Sequence, residues 1–339
     1  LIKKTLVPAL LLLYGLLLSF SSRHKPFSLV VPEGWPQPVY PIHTNPVTEA
    51  GFQLGRALFY DPILSRDTTI SCASCHLQAT GFAHVDHNLS HGIKDRIGAR
   101  NALPIMNMAW STSFMWDGGV RHLDMQPLNP ISSPTEMDES LAHVVQKLNA
   151  SPKYRRLFKE AFGDATVTGQ HMLLAMSQFV LMLQSYNARY DQYMRHEIEF
   201  SAQELKGLAL FRQHCAACHT EPLFTNQGFA NNGLPMDTAL RDLGRFNITQ
   251  LPADSFAFKV PTLRNIQFTY PYMHDGRFKQ LSSVIKHYTN GIPDRSRVSK
   301  PLQDPIIMSA EEQVDLVAFL LTLTDRNFLF DPRYGFPRG

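Results

Sequence analysis

The sequence predicts a mostly α-helical chain of two like domains in tandem, and three observations predict it. A C-x-x-C-H pattern occurs twice, at Cys72–Cys75–His76 and at Cys215–Cys218–His219, and the two patterns hold every cysteine of the 339-residue chain. Stretches with apolar residues at helical spacing precede each pattern and close each half. Apolar residues make up 44% and charged residues 18%, enough for packed cores and wrong for a disordered or collagen-like chain. The balance of 32 Lys plus Arg against 29 Asp plus Glu leaves a net charge of +3 with no basic block, so a nucleic-acid partner is not expected.

The elements follow in order. Lys3 and Lys4 precede an apolar run from Leu6 to Phe20 and the small residues Ser19, Ser21 and Ser22. That order describes a secretory signal peptide over 1–22 and implies export to the periplasm. The run is slightly short of the ~20 residues of a spanning helix, which makes an uncleaved membrane anchor the lesser alternative. Residues 23–46 read as a Pro-rich extended arm, because proline removes backbone donors and fixes φ. A first domain is expected over 47–185. It opens on a short amphipathic helix from Thr48 to Phe59, and a further helix is expected from Glu136 to Leu148. Its closing helix, Gly169 to Gln184, carries Met172, Ala175, Met176, Phe179, Val180 and Leu183 on one face. The second domain, 186–339, has a capping box of Ser201 and Glu204 on a helix reaching His214. Its last helix starts at Ser309 with Glu312 at N3, and Val314, Val317, Leu320 and Leu321 are expected along its buried face.

Each C-x-x-C-H presents two thiols on adjacent turns, able to form thioethers with haem vinyl groups, and a His placed to ligate the iron. A zinc site would want both pairs converging on one metal and leaves the repeated His unexplained. Export disfavours free thiols. The reading is two covalently bound haems c, and a helix before each site packing on a helix after it is how a cytochrome c domain holds its haem. The fold class is therefore mostly α, with two cytochrome c-like haem domains in tandem.

The stretches LGRALFYDPILSRDTTISCASCH, RNALPIMNMAW, FMWDGG and SPTEM, and later FKVPTLRNIQFTYPYMHDG and VIKHYTNG, resemble the bacterial di-haem cytochrome c peroxidase and MauG family. The resemblance runs from about Gly51 to Leu323. It implies that Glu136 is the catalytic distal glutamate. A carboxylate there can take the first peroxide proton and return it to the leaving oxygen. The residue alone also reads as a surface glutamate opening a helix. Gln126 and Pro130 fall on distal positions of the MauG type, where turn or packing roles serve equally. Trp116 falls on the tryptophan between the two haems, although most tryptophans are core residues. Gly119 stands where the family usually has Arg. Asn101, Thr269 and Pro271 fall on ligands of one Ca²⁺, a hard ion that prefers oxygen.

Two iron ligands are departures from a uniform family pattern. Seventeen residues on from Pro271 stands Tyr288, as in the MauG type, where the peroxidases proper have a Met that raises the haem potential. Met273 is the competing candidate, whereas Met236 and Met308 read as loop or core residues. His91, 15 residues past His76, resembles the removable distal His of the reductively activated peroxidases, but it lies farther from Arg100 than in that type. His84 and His87 are nearby, and an exposed loop His is the ordinary reading.

The leading expectation is an exported peroxidase that reduces hydrogen peroxide to water, drawing electrons from a small donor protein such as a c-type cytochrome or cupredoxin. The second keeps the fold and uses peroxide to oxidise a partner protein, as MauG does in completing a quinone cofactor. The third is a di-haem electron carrier without catalysis. The family's members are often homodimers.

Overall fold

A computed structural model describes residues 27–337. The expected signal peptide and the first four residues of the arm lie outside the described residues. Among the described residues, no helix is long and apolar enough to cross a membrane.

The principal helices are α1 (Glu49–Tyr60), α2 (Leu141–Ala150), α3 (Pro152–Phe162), α4 (Gly169–Leu181), α5 (Ala202–His214), α6 (Leu281–Lys286) and α7 (Ala310–Leu321). Local chemistry starts each long one. Thr48 caps α1 and Thr168 caps α4, each hydroxyl accepting from a first-turn N–H. Ser201 with Glu204, and Ser309 with Glu312, form reciprocal capping boxes on α5 and α7, as expected. Sheet is minimal among the described residues: β1 (Phe229–Ala230) pairs antiparallel with β2 (Phe258–Lys259).

Each half is organised by one close helix crossing. In the first, α1 meets α4 at Gly55, where an added Cβ would lie 2.0 Å from the Ala175 carbonyl oxygen. One turn on, the Phe59 and Phe179 rings meet at 5.0 Å. In the second, α5 meets α7 at Gly207, where an added Cβ would lie 2.0 Å from the Asp315 carbonyl oxygen. Phe211 and Phe319 then meet at 5.1 Å. Both halves thus use a glycine to bring two backbones together and a Phe pair four residues later to fill the angle beneath. The C-x-x-C-H turns follow α1 and α5 in each case.

Three expectations are corrected. The helix expected from Glu136 begins at Leu141, because the Ser140 hydroxyl caps the His143 N–H at 3.2 Å. Glu136 therefore sits in a turn, its N–H bonded to the Ser133 carbonyl, and not on a helix N-terminus. The closing helix stops at Leu181 rather than Gln184. Its last residues bond elsewhere, Leu183 O accepting from Asn107 N–H and the Gln184 amide pairing with both backbone groups of Val30. On α7 the buried face is Asp315, Leu316, Phe319 and Leu320, while Val314 is 58% and Leu321 40% exposed.

The arm and the tail bind the halves together. Tyr40 of the arm is buried and donates to Asp124 at 2.8 Å. The Trp35 ring lies 4.7 Å from the guanidinium of Arg264, a fully buried second-half residue paired twice with Asp191. After α7 the chain returns to the first half. Tyr60 Oη donates to the Tyr334 carbonyl at 2.8 Å, and Tyr334 joins the core that holds Phe52, Phe59 and Phe179.

Gly55→Ala and Gly207→Ala are each expected to destabilise their own half by about 1–3 kcal/mol or more, since the new methyl meets backbone rather than a movable side chain. Urea unfolding followed by circular dichroism checks this; a neutral effect at both positions would contradict the crossing.

Candidate active site

The first C-x-x-C-H begins on a single helical turn, Cys72–Cys75, at whose start the Ser71 N–H donates to the Ser74 hydroxyl at 3.1 Å. His76 follows, with its Nδ1–H donating to the Phe82 carbonyl at 2.7 Å. This bond leaves Nε2 as the imidazole's lone-pair nitrogen. Burial pushes His76 down to about 4, so it is neutral at physiological pH and able to ligate. His219 repeats the device: its Nδ1 faces the carbonyls of Phe224 and Pro261, both at 3.1 Å, and burial lowers it to about 4. None of the four cysteines is bridged to another. Burial, first of all, pushes the Cys72 and Cys215 thiols up to about 12, which disfavours a thiolate redox pair.

Cys72, Cys75 and His76 open onto a cavity of about 310 Å³. Its wall also carries Glu136, Gln126, Pro130, Trp116, His91 and Asn101 from the first half. The second half contributes Leu223, Thr225, Gln227 and the 259–262 segment. Among the described residues Glu136 is the only carboxylate on this wall, and its Oε2 is buried without a hydrogen-bond partner. Desolvation raises its pKa above the usual carboxylate range. A buried carboxylate oxygen left unanswered by protein fits a site that receives a polar guest. Gln126 is held by Met115, its Nε2 lying 3.8 Å from the sulfur.

Trp116 is buried at the seam between the halves. Its indole N–H donates to the Asn101 carbonyl at 2.8 Å, and its own carbonyl accepts from the Lys259 N–H at 2.7 Å. The neighbouring Asp117 binds Arg100, whose guanidinium also takes Asp242 of the second half in a two-pronged contact at 2.6 and 2.9 Å. Gly119 packs against Ile248, and Arg245 from the second half reaches the Asp117 carbonyl at 3.1 Å. A cation therefore still meets this turn, supplied from across the seam.

Tyr288 is partly buried, stands near Cys215 and Cys218, and faces the Asn232 side chain. Burial pushes it up to about 12. The Asn232 amide donates to the Met273 sulfur at 3.4 Å, so both candidate ligands face one side chain. Met236 is 44% exposed, and Met308 packs on the second-half core. His91 stacks on His87 with ring centroids 4.0 Å apart, and His87 Nδ1 lies 3.4 Å from His84 Nε2. Asn101 N–H donates to the His274 carbonyl at 2.7 Å, which draws it against the segment carrying Thr269 and Pro271; these two do not line the cavity.

Residues 49–199 match the family described as di-haem cytochrome c peroxidase, and residues 204–324 match cytochrome c. The methylamine utilization protein MauG of Methylorubrum extorquens is 38% identical over 86% of this chain and 82% of its own. The cytochrome c551 peroxidase of Nitrosomonas europaea is 34% identical over 85% and 84%. The chain belongs to the di-haem cytochrome c peroxidase family. A crystal structure titled as a MauG-like protein associated with microbial copper homeostasis superposes with a TM-score of 0.82 at 33% identity, covering 91% of this chain and 98% of that one. As a member, the protein is a peroxidase-type oxidoreductase whose two cytochrome c-like domains carry two c-type haems. The residues at each site fit them: two thiols on one turn, a neutral His with Nε2 free to ligate, and a cavity at the first site.

The sequence reading missed Asp242, Asn232, Gln227 and Lys259. Asp242 lies 142 residues from Arg100 and has no local signal. Lys259, in FKVPTLRN, stood inside a quoted motif.

Replacing Arg100 with Met leaves Asp117 and Asp242 half-answered at the seam. A loss of about 2 kcal/mol in unfolding free energy is expected, readable by urea titration. A loss below ~0.5 kcal/mol would place this contact with ordinary surface pairs.

Proposed function

We propose that this protein reduces hydrogen peroxide to water in the periplasm, at the cost of two electrons and two protons per peroxide, with electrons from a small donor protein such as a c-type cytochrome or cupredoxin. The observation that supports this most strongly is the Glu136 carboxylate, unpartnered on the wall shared with His76. His76 would hold the haem whose iron offers a site for peroxide, and His219 would hold the haem that stores the second electron. Glu136 removes the first peroxide proton and returns it to the departing oxygen, a task that its raised pKa suits. Gln126 orients the bound peroxide, and Trp116 bridges the two halves for electron passage. His91 stays with His87 rather than on iron, so turnover needs no prior reduction. The same reading places a calcium ion at Asn101, Thr269 and Pro271, all buried, each offering a neutral oxygen.

A second reading, favoured by Tyr288 and by the MauG relative, keeps the peroxide chemistry but draws the electrons from side chains of a partner protein. A phenolate-type ligand stabilises ferric and higher states, which suits oxidation of a reluctant donor.

Glu136→Gln is expected to lower kcat/KM for peroxide by about 10²–10⁴-fold with haem content unchanged. In the parent, kcat/KM falls as pH drops through the raised Glu136 pKa, because a general base must be deprotonated; the variant loses that limb. A variant with parental kcat/KM and pH profile would remove Glu136 from the chemistry. For Tyr288→Phe, the ferric low-spin electron paramagnetic resonance signal of the second haem should change. An unchanged signal would hand ligation to Met273.

A further inference from the structure

Arg100 and Lys259 are the two cations on the cavity wall, and the structure treats them differently. Arg100 is answered by the carboxylates of Asp117 and Asp242. Lys259 has no carboxylate partner among the described residues; its Nζ donates to Gln227 Oε1 at 3.0 Å, and Gln227 is itself a wall residue. Burial, with Arg245 close by, pushes the Lys259 ammonium down to about 8. A desolvated ammonium without a counter-charge is costly, and its position here is not adjustable. Lys259 lies on β2, paired with Phe229 of β1, and its N–H is tied to the Trp116 carbonyl at 2.7 Å. The Phe229 ring carries Arg245 at 3.9 Å and lies 6.0 Å from Lys259 Nζ, so the charge that Lys259 meets across this ring repels rather than pairs.

The guest that this cavity fits brings anions of its own. A haem c bears its vinyl-derived thioethers along one edge and two propionate carboxylates along the opposite edge. Cys72 and Cys75 take the first edge from one half, and Gln227 and Lys259 reach the cavity from the other. We propose that Lys259, steadied by Gln227, binds a propionate of the haem attached at Cys72 and Cys75. It is a positioning residue by which the second half holds the first half's haem. The charge-assisted contact replaces the missing carboxylate, and the Gln227 amide N–H adds a second donor to the same oxygens. A cation held there also favours the reduced state of that haem. Because Lys259 is hydrogen-bonded through its backbone to Trp116, the contact ties the haem edge to the residue at the seam. The assignment rests on the two-haem reading and is independent of whether peroxide or a partner protein is the substrate.

The test uses the intact holoprotein and the variants Lys259→Met, of similar length without charge, Lys259→Arg and Gln227→Leu. Resonance Raman spectroscopy reads the propionate bending band, and a spectroelectrochemical titration reads each haem's midpoint. In Lys259→Met the first haem's propionate band is expected to shift and its midpoint to move to lower potential, with the second haem's unchanged. Lys259→Arg restores both readouts, and Gln227→Leu produces a smaller shift in the same direction, which carries the test if Lys259→Met does not accumulate. An unchanged band and midpoint, or changes confined to the second haem, would overturn the assignment. Haem stoichiometry on the same samples separates the premises: fewer than two haems in the parent protein would overturn the two-haem reading and this contact with it.

Discussion

Both halves depend on a backbone-to-backbone contact that only glycine permits. At Gly55 and Gly207 a methyl group would overlap a carbonyl oxygen of the facing helix, so the crossing could not be this close with any other residue. The close approach sets where Phe59 and Phe179, or Phe211 and Phe319, must meet. Beyond α1 and α5 the chain turns into its C-x-x-C-H, and the motif's His is then oriented by a carbonyl, Phe82 in one half and Phe224 in the other. Helix packing thus sets the position of each C-x-x-C-H histidine before any cofactor chemistry begins.

Desolvation supplies the protonation states that the site requires. The same burial keeps His76 and His219 neutral and raises the Glu136 carboxyl above its ordinary value. Charges that could upset this arrangement are spent at the seam, where Arg100, Asp117 and Asp242 satisfy one another. Glu136 and Lys259 remain on the wall without opposite charges, one suited to moving a proton and the other to meeting an anion. The two halves therefore build the first site jointly, and the arm and the tail hold them in that relation.

Much of the fold was legible because its signals are local. Both capping boxes and the buried face of α4 occur where helical spacing and side-chain oxygens place them. The misreadings have equally specific causes. Glu136 offered a helix start, but Ser140 is the stronger cap. On α7 apolar residues lie on more than one side, so periodicity could not choose a face; the crossing at Gly207 chooses Asp315 and Phe319. The G-x-x-x-F repeat on α1 and α5 was readable in the sequence and carries the internal symmetry better than the overall order of helices. The cysteine–histidine turns were legible from chemistry, whereas Glu136, Gln126 and Trp116 were singled out only through family resemblance, and the fold brings them onto one cavity wall. Arg100–Asp242 and Lys259–Gln227 were not, since each depends on contacts across the seam or on the burial that the fold creates.

The central claim is that one cavity, closed by both halves, presents an open first haem to peroxide beside Glu136. The most direct measurement is peroxide-dependent oxidation of a reduced small c-type cytochrome by the fully ferric holoenzyme, compared with the same enzyme after half-reduction. Equal turnover from the first cycle in both states is the result predicted. Turnover only after half-reduction would put His91 on the iron, and no turnover in either state would contradict the peroxidase reading itself.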